Sequence, residues 1–383
     1  MSEVKNMPDG WVETNLEAVA EIKYGKDHKH LKEGKIPCLG SGGFMRNVDQ
    51  ILYDKPSVLI PRKGTISNLF FIKKPFWTVD TLFYTKIDEN KIIPKYLYFK
   101  LKTINLESMN VGSAVPSLTT AVLNQLIIEI PNDIKEQKSI ASILTAFDNK
   151  IELLQAQNKT LEETAQTIFI EWFRKYKNGE ALPKGWRIEK LEIIANHSKR
   201  NIKPFDNPNV EYYHYSLPSY DDGLNPIIEK GEMIKSNKYL VESNSFLVSK
   251  LNPFTPRIWT VFDSQENFIC STEFQVVTPK EELFFSLIHC FLNSNEFTSE
   301  LSQKIKGTSS SHQRVNPQDI FDVELVIPSE NDLINFNSAI YPLIAKKNIN
   351  HKQIQTLSKI RDTLLPKLMT GQLRVNDFKE NIV

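Results

Sequence analysis

Cysteine is scarce in this chain. Only Cys38, Cys270 and Cys290 occur in 383 residues, odd in number and far apart. Neither a disulfide framework nor a Cys-x-x-Cys zinc site fits that spacing, so a reducing cytoplasm is the expected setting. Long apolar runs are missing too. Nothing approaches the ~18 to 20 consecutive apolar residues that a bilayer crossing needs, and the opening MSEVKNMPDG has no apolar core, so neither a membrane nor a secretory signal is expected. Net charge is almost absent: 47 Lys and Arg against 46 Asp and Glu leave +1, which argues against a sequence-blind coat for nucleic acid. Catalytic signatures are missing as well. There is no G-x-G-x-x-G, no G-x-x-x-x-G-K-[ST], no H-E-x-x-H, no G-x-S-x-G and no acidic nuclease constellation. His28 and His30 lie in a Lys-rich loop with no Cys or carboxylate set to complete a metal site, and His289–Cys290 sits in an apolar stretch that favours packing over reactivity. The expectation is a protein with no catalytic residue, no metal and no bound cofactor.

What is present is a repeat. PDGWVETNLEAVA (8–20) returns as PKGWRIEKLEIIA (183–195), matching Pro8/Pro183, Gly10/Gly185, Trp11/Trp186, Leu16/Leu191, Glu17/Glu192 and Ala20/Ala195 at an offset of 175. Further matches follow in the same order: VLIPRKG (58–64) with FLVSKLN (246–252), and GSAVPSLTTAVLNQLIIEIP (112–131) with GTSSSHQRVNPQDIFDVELVIP (307–328). A helical stretch follows each final Pro. The chain therefore divides into a first globular region (1–131), a helix (132–178), a second globular region (179–328), a second helix (329–375) and a tail (376–383). The changing offset places insertions inside the globular regions.

Those regions read as mixed α/β with much strand. Ser57–Pro61, Leu69–Ile72, Thr81–Ile87, Phe246–Val248, Ile258–Phe262 and Phe274–Thr278 are short, rich in β-branched and aromatic residues, and bounded by turn formers. One helix is expected in each, near Pro94–Leu106 and Glu281–Ile305. The fold class is thus α+β: two similar strand-rich domains separated by two long helices.

The helices carry a heptad seam. In the first it runs Ile140, Leu144, Phe147, Ile151, Leu154, Asn158, Leu161, Ala165, Ile168, Trp172. In the second it runs Phe336, Ile340, Leu343, Lys347, Asn350, Ile354, Leu357, Arg361, Leu364, Leu368, with three polar intrusions. Setting Asn158 opposite Asn350 makes an antiparallel pair in which Ile151 meets Leu357, Leu154 meets Ile354, Leu144 meets Leu364, Ala165 meets Leu343 and Trp172 meets Phe336. Two facing amides would satisfy each other and penalise slipped registers. Pro366 is expected to kink the second helix or end it early.

Charge is sorted along the chain. Residues 22–79 hold 11 Lys/Arg and 4 Asp/Glu, whereas residues 179–328 hold 15 and 20. The basic block contains GKDHKHLKEGK (25–35), the turn GSGGFMRN (40–47) and PRKGTISN (61–68). Lys26, Lys29, Arg46, Arg62, Lys63, Thr65, Ser67 and Asn68 are candidates for contacting phosphates and base edges, with Gly allowing close approach of backbone. In the second region the matching candidates are Lys250, Asn252, Arg257, Ser309, Ser310, His312, Gln313 and Arg314. The acidic excess there requires residues such as Asp221, Asp222, Glu281 and Glu282 to face away from DNA or toward another subunit. Asn252-Pro253-Phe254 lacks the second Pro of the Asn-Pro-Pro-aromatic loop with which amino-methyltransferases hold a flipped base, and no methyl-donor loop accompanies it.

In combination, the repeated P-x-G-W-x-x-x-x-L start, the G-[ST] loop leading to Ile-Pro, the helix opening IPNDIKEQKSIASILTAFDNKIELLQ (130–155) and the ending TLLPKLMTGQLRV (363–375) resemble the specificity subunits of type I restriction–modification systems. The resemblance covers essentially the whole length. SENDLINFNSAI (329–340) departs from it, replacing the usual Glu-Gln-rich opening. The resemblance implies that each globular half is a target-recognition domain reading one half of a bipartite double-stranded DNA site. It implies helices that set the spacing and dock methyltransferase subunits, which use S-adenosylmethionine to methylate adenine, and a motor–nuclease subunit that joins to cut unmodified DNA. A non-catalytic coiled-coil scaffold without DNA specificity is the alternative.

Overall fold

The structure, a computed structural model, describes residues 7–112, 116–177, 179–305 and 313–375. Packing divides the chain into two units, one of residues 1–153 with 354–383 and the other of residues 154–353. Each unit therefore holds one globular region and a portion of both long helices.

In the first unit, Trp11–Asn15 pairs antiparallel with Ile127–Pro131, so the repeated start closes on the Ile-Pro end. Next comes a four-stranded antiparallel sheet in the order Ala20–Tyr24, Leu82–Ile87, Ser57–Pro61, Phe70–Ile72. Ser57–Pro61 is buried at every position, which is why it reads as a continuous apolar run rather than an alternation. A smaller sheet orders Gly43–Val48, Ile36–Gly40 and Trp77–Thr78. The helix Pro94–Lys102 has Pro in its first turn, where a missing N–H costs nothing, and it buries Tyr96, Leu97 and Phe99. Its core also takes Ile140, Ala141 and Leu144 from the first long helix and Leu368 and Met369 from the second.

The second unit repeats the plan. Arg187–Lys190 pairs with Glu324–Ile327, and Ala195–Ser198, Phe274–Pro279, Ser245–Ser249 and Ile258–Val261 form the same antiparallel order. The insertion lies between the first and central strands, since the offset is still 175 at Ala20/Ala195 but 188 at Ser57/Ser245. It builds a five-stranded sheet in the order Asn201–Ile202, Lys238–Leu240, Phe268–Ser271, Glu211–Tyr215, Ile227–Lys230 in place of the three-stranded one. The single helix expected over Glu281–Ile305 is instead two, Phe285–Leu292 and Asn295–Gln303. Ser294 breaks the run, its Oγ accepting from the Phe297 N–H at 3.1 Å as a helix cap.

The long helices span Ile134–Lys177 and Glu330–Met369. Their openings differ in sequence but start alike: Asp133 Oδ1 accepts from Lys135 N–H at 2.8 Å, and Ser329 Oγ from Asp332 N–H at 3.4 Å. Gln137, fully buried, joins the first helix to its globular region by donating to Pro131 O (2.8 Å) and Lys91 O (3.1 Å) and accepting from Ile93 N–H (2.9 Å). The register-equivalent position in the second helix is the buried Leu333, an apolar plug in place of a polar lock.

Contacts within each unit run antiparallel. In the second, Trp172 packs on Phe336 with ring centroids 5.4 Å apart, Glu162 meets Lys347 at 2.6 Å, and Asn158 meets Asn350 at 2.9 Å. In the first, Asp148 meets Arg361 at 3.0 Å. All three polar intrusions of the second seam thus find a polar partner on the first helix. Leu144, Ile151 and Leu154 are buried, whereas Phe147, Leu161, Leu343, Ile354, Leu357 and Leu364 are half-buried. A two-helix seam is walled on one side only, so such residues keep an open edge. The expected early stop at Pro366 does not occur. The helix continues to Met369, with Thr370 N–H still bonding Pro366 O at 3.0 Å. Pro366 falls in the last turn, where the donor it lacks would have served the carbonyl of Asp362, an exposed residue.

Candidate nucleic-acid interface

In the first unit the buried strand Ser57–Pro61 delivers the chain into the loop 62–69. Two apolar anchors hold that loop down, Ile66 at 1% and Leu69 at 8% exposure. Its backbone is tied at Arg62 N–H to Thr81 O (2.8 Å) and at Gly64 N–H to Pro116 O (3.1 Å). Gly64 adopts φ +87, a conformation side chains disfavour. Lys63, Thr65, Ser67 and Asn68 are left exposed around the anchors. Asn68 Nδ2 donates to Ser41 O at 3.3 Å, which ties the loop to the glycine-rich turn at 40–43. Ser67 Oγ donates to Glu107 Oε1 at 3.0 Å.

Arg62 stacks over the Tyr24 ring at 5.4 Å and donates through Nη1 to Asp80 O at 3.1 Å, which aims the guanidinium across this surface. Lys26 and Lys29 are exposed on the neighbouring loop. Gly25 is required there, since a Cβ would lie 2.0 Å from Val79 O. Asp27, Lys29, Ser41, Phe44, Asp80 and Thr81 share an open cleft of about 750 Å³. Arg46 belongs to the scaffold of this surface rather than its face. Its Nη2 donates to His28 O (2.6 Å) and Leu31 O (3.0 Å), bracing the Lys-rich loop from beneath.

The second unit uses the loop that follows the equivalent strand, Ser245–Ser249. Leu251 bridges to Arg314 and Asn252 N–H donates to Gln313 O at 2.9 Å, so two sequence candidates some 60 residues apart become neighbours. Asn252 takes φ +52, which Asn tolerates better than most side chains. Burial pushes the Lys250 ammonium below its ordinary value, opposed by Glu273 and reinforced by Arg314. Arg314 in turn donates to Glu273 Oε1 at 2.9 Å. Arg257 is claimed by Asp221 in a two-pronged pair, Nε to Oδ1 at 2.7 Å and Nη2 to Oδ2 at 2.9 Å. Asp221, one of the acidic residues expected to face away from DNA or toward another subunit, sits beside a basic candidate and neutralises it. Ser309, Ser310 and His312 lie outside the described residues.

Among the described residues no group of three or more His, Cys, Asp or Glu is placed to hold a metal, and no helix is long and apolar enough to cross a membrane. All three cysteines are buried, and burial pushes the Cys270 thiol up to about 12.

Residues 8–163 match the family model described as the type I restriction modification DNA specificity domain. Over 365 residues the chain is 28% identical to the type I restriction enzyme MjaIX specificity subunit of Methanocaldococcus jannaschii, covering 85% of this chain and 80% of that protein. A second relative from that organism, the MjaVIII specificity subunit, is 22% identical over 86% of this chain and 82% of its own length. Over most of its length the chain is therefore similar to type I specificity subunits. The crystal structure of a type I restriction–modification S subunit from M. genitalium shares the fold, with a TM-score of 0.67 at 16% identity over 96% of this chain and 98% of that one.

The ties of several residues at the two loop surfaces escape a reading of the sequence. Tyr24, Asp80 and Glu107 come to the first surface from separate elements, and Asp221 and Glu273 to the second. Their partners lie 18 to 41 residues away in sequence, and no local pattern marks them. The exposed Phe44 and Met45 were visible within GSGGFMRN only as part of a turn.

Proposed function

We propose that this subunit reads duplex DNA in two halves, the first through Lys26, Lys29, Arg62, Lys63, Thr65, Ser67 and Asn68, the second through Lys250, Asn252, Gln313 and Arg314. One observation carries the reading. Both globular regions use the same four-stranded order, and in both the loop leaving the equivalent buried strand bears the candidate donors. Exposed Lys and Arg supply the salt-dependent attraction to phosphate, while Ser, Thr, Asn and Gln on anchored loops suit hydrogen bonding to base edges.

The long helices act as spacer and as docking site for methyltransferase subunits, and a motor–nuclease subunit completes the assembly in the cytoplasm. S-adenosylmethionine and the chemistry belong to those partners; this chain recognises and positions. The near-neutral total charge and the pairing of Arg257 and Arg314 with carboxylates support an affinity that belongs to the assembled complex.

The test is a map of methylated adenines across the genome with and without this gene, repeated for loop variants. Loss of a bipartite methylated motif on deletion is expected. Arg62→Ala should relax one half of that motif, and substitutions in 309–314 the other half. An unchanged methylation map on deletion would overturn the reading, and equal damage to both halves would overturn the division between the two domains.

A further inference from the structure

We propose that Phe44 and Phe254 are apolar wedges by which this chain enters the base stack of duplex DNA, one wedge in each half-site. The inference rests on the DNA-reading function above and adds a distortion step to it.

The two residues reach the same situation by different routes. Phe44 follows Gly43, which has φ +103 and pairs with Gly40 at the end of a tight hairpin. That tip is held by the Asn68 donation to Ser41 O and by Ser41 N–H to Thr81 Oγ1 at 3.3 Å. Met45 folds over Gly40, where a Cβ would come within 2.9 Å of its sulfur, and Phe44 is left 64% exposed. In the second unit the turn closed by Thr255 N–H to Asn252 O (2.9 Å) buries Pro253 and turns Phe254 outward, 63% exposed.

Burying a Phe ring is favourable, so a rigid turn that holds the ring in water forgoes that stabilisation. Phe44 shares its cleft with Asp27, Lys29, Met45, Asp80 and Thr81, and Phe254 follows Lys250 and the bridge from Leu251 to Arg314 along the chain. A protein partner would call for a wide apolar patch, and beside Phe44 the apolar Met45 and Val79 are interspersed with Asp27, Lys29 and Asp80. Duplex DNA combines what both sites ask for: phosphates for the cations and stacked π-faces for the ring. A base within the duplex is out of reach of a methyltransferase until it leaves the stack, which costs its pairing and stacking. Stacking of an aromatic side chain on a base returns part of that cost. The specificity subunit would then lower the barrier to the extrusion that its partners complete.

The experiment uses the assembled complex and duplexes carrying its mapped site, with 2-aminopurine replacing the methylated adenine of one half-site at a time. Wild type should raise 2-aminopurine emission at both half-sites. Phe44→Ala should lower the population of the open state about tenfold at the first half-site and leave the second unchanged, with Phe254→Ala doing the reverse. Phe44→Trp should restore the signal, and its indole emission should be quenched on the specific duplex but not on a scrambled one. Full 2-aminopurine enhancement in both alanine variants, equal loss at both half-sites, or a tryptophan indifferent to specific DNA would each overturn the wedge. A wild-type complex that fails to prefer its mapped site over a scrambled duplex would instead overturn the DNA-reading function beneath it.

Discussion

Asn350 Nδ2 donates to Asn158 Oδ1 at 2.9 Å from a position wholly shut off from solvent, and it also reaches Gln157 Oε1 at 2.9 Å. Replacing Asn158 with Leu leaves one of the two buried Nδ2 hydrogens without its acceptor, at an expected cost of about 1–3 kcal/mol, whereas replacing both with Leu should recover much of that loss. Chemical denaturation of the two single variants and the double variant measures the coupling. Additive effects within about 0.5 kcal/mol would mean that the two amides do not sense each other.

Asp221 holds two of the Arg257 donors, and Arg257 Nη1 is buried without a partner among the described residues. The pair lowers the Asp221 carboxyl below its ordinary range, chiefly through the hydrogen bond from Arg257. Asp221→Asn should release a guanidinium toward phosphate and steepen the dependence of log K on log salt by about 0.9, the contribution of one added phosphate contact. Titrations of the assembled complex at several salt concentrations read this directly. An unchanged slope would make Arg257 a structural residue of the second domain.

Acid should weaken the second unit first. Burial pushes the imidazoles of His197, His214 and His351 below their ordinary value. The unfolded chain takes up these protons near the ordinary value of 6.5 and the folded chain resists them, so the stability they contribute is complete above that pH and is lost as pH falls below it. A second step follows at lower pH. Burial raises the Glu162 carboxyl, but His289 and Lys347 beside it more than offset this and hold it low, so its contribution fades below the ordinary carboxylate value. Calorimetry of the full chain between pH 8 and pH 5 should show a falling midpoint. The slope should flatten in a His214→Gln, His351→Gln variant; an unchanged slope there would remove these two groups as the cause.

Gly371 ends the second helix at φ +69, and a Cβ there would lie 2.5 Å from Pro8 Cγ. Gly179 ends the first at φ +99 with nothing within 4 Å of the same position. Gly371→Ala should therefore destabilise by about 1–3 kcal/mol, and Gly179→Ala by about 1 kcal/mol from backbone conformation alone. Denaturation midpoints compare the two, and equal losses would show that the Pro8 contact relaxes freely.

Much of the architecture was legible in the order of residues. The Pro-x-Gly-Trp starts lead into the strands Trp11–Asn15 and Arg187–Lys190, and the apolar run at 58–61 lies in the buried strand that feeds the loop 62–69. These features are local. A heptad, a turn former or a buried run expresses itself over a few residues, and two helices of equal period can be aligned by one matched pair of polar residues. Illegible were the ties of the candidate site. Arg46, a candidate contact in the sequence, is a brace, Arg257, another, is paired with Asp221, and the polar intrusions Lys347 and Arg361 meet Glu162 and Asp148.

By itself, then, the sequence determined the duplicated plan, the places of the long helices and the stock of loop donors, because hydrophobic periodicity and backbone chemistry act at short range. Only the tertiary structure decided which of those donors stay available, how the insertion becomes a five-stranded sheet, and why two phenylalanines stand in water. Each of those outcomes depends on partners brought from distant segments by strand pairing and burial, and no local pattern records them.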